Sequence, residues 1–187
     1  MDSLMKTNHH MKRWCLIFMA VFVTLASNAQ RLPKITLTDI RGNSICLDTL
    51  CADGRPVIVD VFATWCHPCL RELAAIHEVW DEWQEEADVR LVAIAIDEGQ
   101  NANKVRPLAD RNGWKWDVLL DPNSQLTRAL GISSIPYVMV LDGKGNIAYK
   151  HLGYTDGAEE ELLEKVKELG GTKEKKPAAR KGKKKKG

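Results

Sequence analysis

Val59-Asp60-Val61-Phe62-Ala63-Thr64-Trp65-Cys66-His67-Pro68-Cys69 is the stretch that decides the architecture. Pro56 opens it, and from Val57 to Ala63 the residues are β-branched or apolar with almost no alternation. That is the pattern of a central strand covered on both faces. Asp60 is its one polar interruption. Thr64-Trp65 turns the chain, and a helix is predicted over about 66–86, because Leu73, Ile76, Trp80, Trp83 and Ala87 recur at helical spacing. The two cysteines therefore stand three apart at the mouth of a helix that directly follows a buried strand.

Each part of this arrangement has a chemical use. The thiolate is the nucleophile of disulfide exchange, and a helix N-terminus stabilises it with unpaired N–H groups and a positive dipole end. The i, i+3 spacing puts both sulfurs on one helix face, where they can close a disulfide with little backbone motion. Cys66, on the solvent side, is the expected nucleophile. Cys69, one turn inward, is expected to resolve the mixed disulfide.

Outward from this unit, strands alternate with helices. Ile35–Leu37 and Ser44–Leu47 read as short strands around the turn Arg41-Gly42-Asn43. Val89–Ile96 is a second buried strand, ending at Asp97. A short helix over about 102–112 contains Pro107, which counts against an unbroken helix there. Trp116–Leu120 is a third strand, 123–130 a short helix, and Tyr137–Leu141 with Asn146–Tyr149 a hairpin across Gly143-Lys144-Gly145. Glu159–Leu169 closes as an amphipathic helix. The order implies an α/β fold with a mixed central β-sheet flanked by helices.

The 187 residues suit one compact domain with appendages. Residues 1–29 read as a signal peptide: Lys6, Lys12 and Arg13 precede the apolar or neutral run Trp14–Ala26, and Ser27-Asn28-Ala29 supplies small residues before a cut at Gln30. The run is short against the roughly 20 residues a spanning helix needs, so membrane anchoring is the alternative only if the segment stays uncleaved. Cleavage would remove Cys15 and leave a periplasmic or otherwise extracytoplasmic protein. Residues 30–170 hold 15 Lys and Arg against 23 Asp and Glu, whereas 171–187 hold nine basic residues and one acid, with no large apolar side chain. This tail is expected to be disordered, because it cannot bury enough surface to offset its entropy. A solvated tail without a dedicated partner is the favoured reading, with weak contact to an anionic surface as the alternative; no nucleic-acid motif accompanies it.

Four cysteines remain after cleavage. Export permits disulfides, and Cys46 with Cys51 would form a local structural pair, a reducible regulatory pair being the alternative. A four-sulfur zinc site is disfavoured, because a strand of roughly 20 Å separates the two pairs. No metal and no cofactor are expected.

The quoted stretch resembles the active-site strand and turn of the thioredoxin superfamily. Gly131-Ile132-Ser133-Ser134-Ile135-Pro136 resembles its cis-proline loop, and Gly153 the glycine near its last strand. The strand–helix segment between Asp97 and Gly131 is similar to the insertion of TlpA/ResA-like exported thioredoxins. The resemblance spans about residues 33–169 and implies a thioredoxin-like fold with that extra insertion. It implies a cis Ile135–Pro136 bond beside the cysteines, with the Ile135 backbone pairing to an extended substrate; from the residues alone an ordinary trans bond is equally open. Trp65 resembles the tryptophan that shields the cysteines, or is a core aromatic.

Two carboxylates are candidate catalytic groups. Asp60 lies where thioredoxins have a buried acid, able to exchange a proton with Cys69 through water. Glu72 matches the active-site glutamate of ResA-like proteins; dipole stabilisation near the helix start is the other reading. His67 departs from the family, and a cation there would favour the thiolate and make the disulfide more oxidising. Pro68 matches reducing members.

The function these readings imply is a thiol–disulfide oxidoreductase, in the reductase direction, acting on cysteine-containing exported proteins and recharged by a membrane thiol–disulfide donor. A peroxiredoxin-like peroxidase is the rival enzyme, although the Pro-x-x-x-Thr-x-x-Cys setting is not reproduced before Cys66. A Cu(I) chaperone using both thiolates is the non-enzymatic rival, although Met139 reads as a buried strand residue and His67 lies beside the pair without ligand spacing.

Overall fold

The computed structural model describes residues 30–171. The signal peptide expected over 1–29 and the tail from 172 onward lie outside the described residues. Seven strands form one mixed sheet: β1 (Thr36–Asp39), β2 (Ser44–Cys46), β3 (Val57–Phe62), β4 (Arg90–Ala95), β5 (Asp117–Leu120), β6 (Tyr137–Leu141) and β7 (Ile147–Leu152). Their order across the sheet is β2-β1-β5-β4-β3-β6-β7. β3, β4 and β5 run parallel, whereas β6 lies antiparallel beside β3 and β1 antiparallel beside β5. Among the described residues four helices complete it: α1 (His67–Glu86), α2 (Val105–Asn112), α3 (Gln125–Leu130) and α4 (Ala158–Glu168).

All six residues of β3 are buried, Asp60 among them, as a run with almost no alternation requires. Alternation divides them. Val57, Val59 and Val61 join one core layer with Leu37, Leu47 and Leu126 of α3. Ile58 and Phe62 join the other, formed by Leu73, Ile76, Trp80 and Trp83 of α1 with residues of α2 and α4. Asp60 stands between Ile58 and Phe62, so its side chain enters the layer beneath α1.

The insertion shows why Pro107 is tolerated. A 3-10 turn over Gly99–Lys104 precedes α2, and Pro107 is the third residue of that helix. First-turn N–H groups have no intrahelical acceptor, so a proline there loses nothing. In the hairpin, Asp142 Oδ1 accepts from the N–H groups of Lys144 and Asn146 at 2.9 and 2.8 Å. A Cβ on Gly143 would stand 2.1 Å from the Gly54 carbonyl oxygen, so only glycine fits between the two loops.

Both ends of the described chain are fastened. The Gln30 carbonyl accepts from the Ile147 N–H at 2.7 Å. Gly171, grouped with the tail by composition, belongs to the body: its N–H donates to Val166, and its carbonyl accepts from Asp88 at 2.6 Å.

Candidate active site

Cys66 and Cys69 are joined as a disulfide with Cα atoms 5.3 Å apart. Cys66 occupies the N-cap of α1, and its Sγ accepts from the Cys69 N–H at 3.3 Å. The helix start is therefore aimed at this sulfur, and the same donor would hold a thiolate after reduction. Cys66 keeps 6% of its surface and Cys69 none. Only Cys66 can be reached from outside.

The turn before Cys66 is built by a residue that sequence reasoning assigned no role. Asp97, buried at the end of β4, accepts from the Thr64 N–H at 2.8 Å and from the Thr64 hydroxyl at 2.5 Å. The signal was an aspartate closing a buried parallel strand, where a charge needs a partner. Its partner is the loop that leads into Cys66.

The Ile135–Pro136 bond is cis. β6 pairs Tyr137 with Val61, which brings the preceding loop level with Ala63 and the Thr64–Cys66 turn. Gly153 donates its N–H to the Pro136 carbonyl at 2.8 Å, fixing the loop from the far side. Ile135, Ser134 and Ser133 line one groove with Trp65. Trp65 is 61% exposed, which removes its reading as a core aromatic. His67 and Pro68 are the first two residues of α1, and both are exposed beside the pair.

Asp60 and Glu72 are both buried, Asp60 in the layer beneath α1 and Glu72 on α1 three residues past Cys69. Among the described residues neither Asp60 oxygen, nor Oε2 of Glu72, has a hydrogen-bond partner. Glu72 is the sixth residue of α1, one turn past Cys69 and turned toward the core, so stabilisation at the first turn does not account for it. Burial raises the pKa of Asp60 well above the usual carboxylate range. Burial does the same for Glu72, followed by the charges of Asp60 and Glu159. Two acids share one apolar layer, and each makes ionisation of the other harder. Both carboxyls are therefore biased toward the protonated form.

Cys46 and Cys51 correct an expectation, for they are free rather than bonded. Cys46 ends β2 and turns its thiol toward Asp48 Oδ1, 2.8 Å away. A 3-10 turn over Leu47–Thr49 then carries Cys51 into the core layer of Leu37, Leu47 and Leu50. The two sulfurs have different surroundings, Cys46 against Asp48 and Cys51 within the core. Burial pushes the Cys51 thiol up to about 11, so it stays protonated at neutral pH. Met139 belongs to the core layer opposite the redox pair, where it cannot join the two sulfurs as a ligand.

The class follows from fold and pair together: a thioredoxin-like protein whose reactive element is a dithiol–disulfide couple. The chain belongs to the AhpC/TSA family, which matches residues 29–150. It is 27% identical over 146 residues to the thiol-disulfide oxidoreductase ResA of Halalkalibacterium halodurans, covering 78% of each chain. A thioredoxin-like protein of Porphyromonas gingivalis, solved in solution, shares 54% identity and a TM-score of 0.65, covering 74% of this chain and 90% of its own. StoA of Bacillus subtilis shares 25% identity and a TM-score of 0.57, covering 71% of this chain and 98% of its own.

Proposed function

We propose that this protein reduces disulfides in exported, cysteine-containing proteins, on the outer side of the cytoplasmic membrane. The observation that carries the reading is the unequal pair: a slightly exposed Cys66 capping α1 and a fully buried Cys69 behind it. In the reduced form the Cys66 thiolate attacks a client disulfide. That bond breaks, one client sulfur leaves and takes up a proton, and the other stays bound to Cys66. Cys69 gives up its proton, with Asp60 and Glu72 as the nearby candidate acceptors, and attacks Cys66 Sγ. The second client thiol leaves, the Cys66–Cys69 disulfide forms, and two electrons have passed to the client.

A membrane dithiol donor would return the pair to the reduced state. Export rests on the sequence of residues 1–29; among the described residues no helix is long and apolar enough to cross a membrane. The reductase direction rests on Pro68 and on the ResA likeness. The test is the reduction potential of the Cys66–Cys69 couple, together with reduction of insulin by the dithiol form. A potential near that of thioredoxin, about −270 mV, with efficient insulin reduction is expected. A potential near −120 mV, the range of strong oxidants, would reverse the direction.

A further inference from the structure

Trp65 is a ridge between two grooves. On one side lies the cis-proline loop. On the other lies an open groove of about 770 Å³ between the Thr64–Trp65 turn and the insertion. Trp65, Pro107 and Leu108 give it apolar walls, and Asn103, Lys104 and Arg111 supply its polar side; no carboxylate lines it.

Its two cations face no carboxylate across the groove. Residues 30–170 are acidic overall, and Arg55, Arg71, Arg90, Arg106, Lys115, Lys165 and Lys167 each pair with a carboxylate. Lys104 and Arg111 are exposed, and neither forms an ion pair among the described residues. Arg106, on the same helix, is taken by Asp110 at 3.7 Å. Helix electrostatics explain Arg111 in the last turn of α2. They do not explain Lys104, which ends the 3-10 turn and caps the N-terminus of α2, where the two dipole ends oppose each other.

We propose that this groove receives an acidic flank of the client polypeptide, with Lys104 and Arg111 as the residues that select it. The proposal rests on the oxidoreductase reading and names its substrate class: polypeptides carrying Asp or Glu within a few residues of the reactive cysteine. The groove is continuous with the redox centre through Trp65, the neighbour of Cys66. A client chain that crosses the ridge while its sulfur meets Cys66 lays its next residues along Lys104 and Arg111. Two unpaired cations on an otherwise acidic body attract such a segment and repel a basic one.

The test uses two 12-residue peptides, each with one cysteine capped as a mixed disulfide with 2-mercaptoethanol. They differ only in having two Glu or two Lys near that cysteine. The dithiol form of the full chain donates two electrons to the peptide disulfide, releasing the peptide thiol and 2-mercaptoethanol. Second-order rate constants are measured for the parent, Lys104→Gln/Arg111→Gln and Lys104→Glu/Arg111→Glu, at low salt and in 0.5 M salt. At low salt the parent should reduce the Glu peptide about three- to tenfold faster than the Lys peptide, the range expected of two exposed charge pairs. Salt should collapse the preference. The Gln variant should lose most of it, and the Glu variant should invert it. Equal rates in the parent, or an unchanged preference in the Glu variant, would overturn the proposal while leaving the oxidoreductase reading intact. Failure of the parent to reduce either peptide or hydroxyethyl disulfide would overturn both.

Discussion

Replacing Asp60 by Asn should make the protein more stable at neutral pH and slower in exchange. Asp60 is fully buried in the layer under α1, with neither oxygen hydrogen-bonded among the described residues. Its folded pKa is raised by desolvation, whereas the unfolded chain titrates near the ordinary value. A raised folded value means that stability is complete below the unfolded pKa and is lost as pH rises toward the folded one. Between an unfolded value of about 3.9 and pH 7, about 1.4 kcal/mol per unit gives about 4 kcal/mol as an upper bound. Local relaxation and water entry reduce this to about 2–4 kcal/mol. The Asn variant lacks that titration. Its stability relative to the parent should therefore grow by that amount between pH 4 and pH 7, on top of a constant offset between amide and carboxyl. Urea unfolding of the disulfide form, followed by tryptophan fluorescence at several pH values, measures the difference without interference from thiol titration. In rapid-quench exchange the same variant should accumulate the mixed disulfide, because it lacks the ionised fraction of Asp60, which grows as pH rises toward the folded pKa and can take the Cys69 proton. A stability difference that stays flat with pH would refute the argument, since Asp60 would then be ionised in the fold.

Cys69→Ser should trap mixed disulfides with client proteins on non-reducing gels, whereas Cys66→Ser should trap none; the reverse would exchange the two roles. His67→Gly should make the couple more reducing, by about 30 mV for each 1.4 kcal/mol of lost thiolate stabilisation. An unchanged potential in a glutathione redox titration would show that the imidazole does not act on Cys66. Gly143→Ala should lower stability by about 1–3 kcal/mol, the usual range for forced overpacking, because its Cβ would meet the Gly54 carbonyl at 2.1 Å. A thermal midpoint equal to the parent's would show that the two loops separate freely.

The redox unit was legible because a strand covered on both faces has no alternation, and because the turn, the cysteine spacing and the helical stripe all agree. Asp60 could be placed for the same reason: a lone acid inside such a run has no route to solvent. Glu72 was harder to read. Its neighbour Arg71 is solvent-facing, and only the helical phase of Cys69, Leu73 and Ile76 turns Glu72 inward. The Cys46–Cys51 bond failed as an expectation because even count and short spacing say nothing about the surroundings of each sulfur, one against Asp48 and the other within the core. Asp97 and the groove at Lys104 and Arg111 needed tertiary structure, since residues far apart in the chain meet there.

The fastening of Gln30 and Gly171 has a consequence for how the molecule meets its surroundings. Ile147 follows the hairpin tip, level with the start of β3, because Leu141 pairs with Val57. Asp88 precedes β4, whose Arg90 also pairs with Val57. Both ends of the described residues, Gln30 and Gly171, therefore lie at the pole where β3 begins. Cys66 lies at the pole where β3 finishes, about 20 Å away by strand rise. A leash attached at either terminus, whether an uncleaved leader or a basic tail held on an anionic surface, would tether this body by its inert pole and leave the disulfide facing outward.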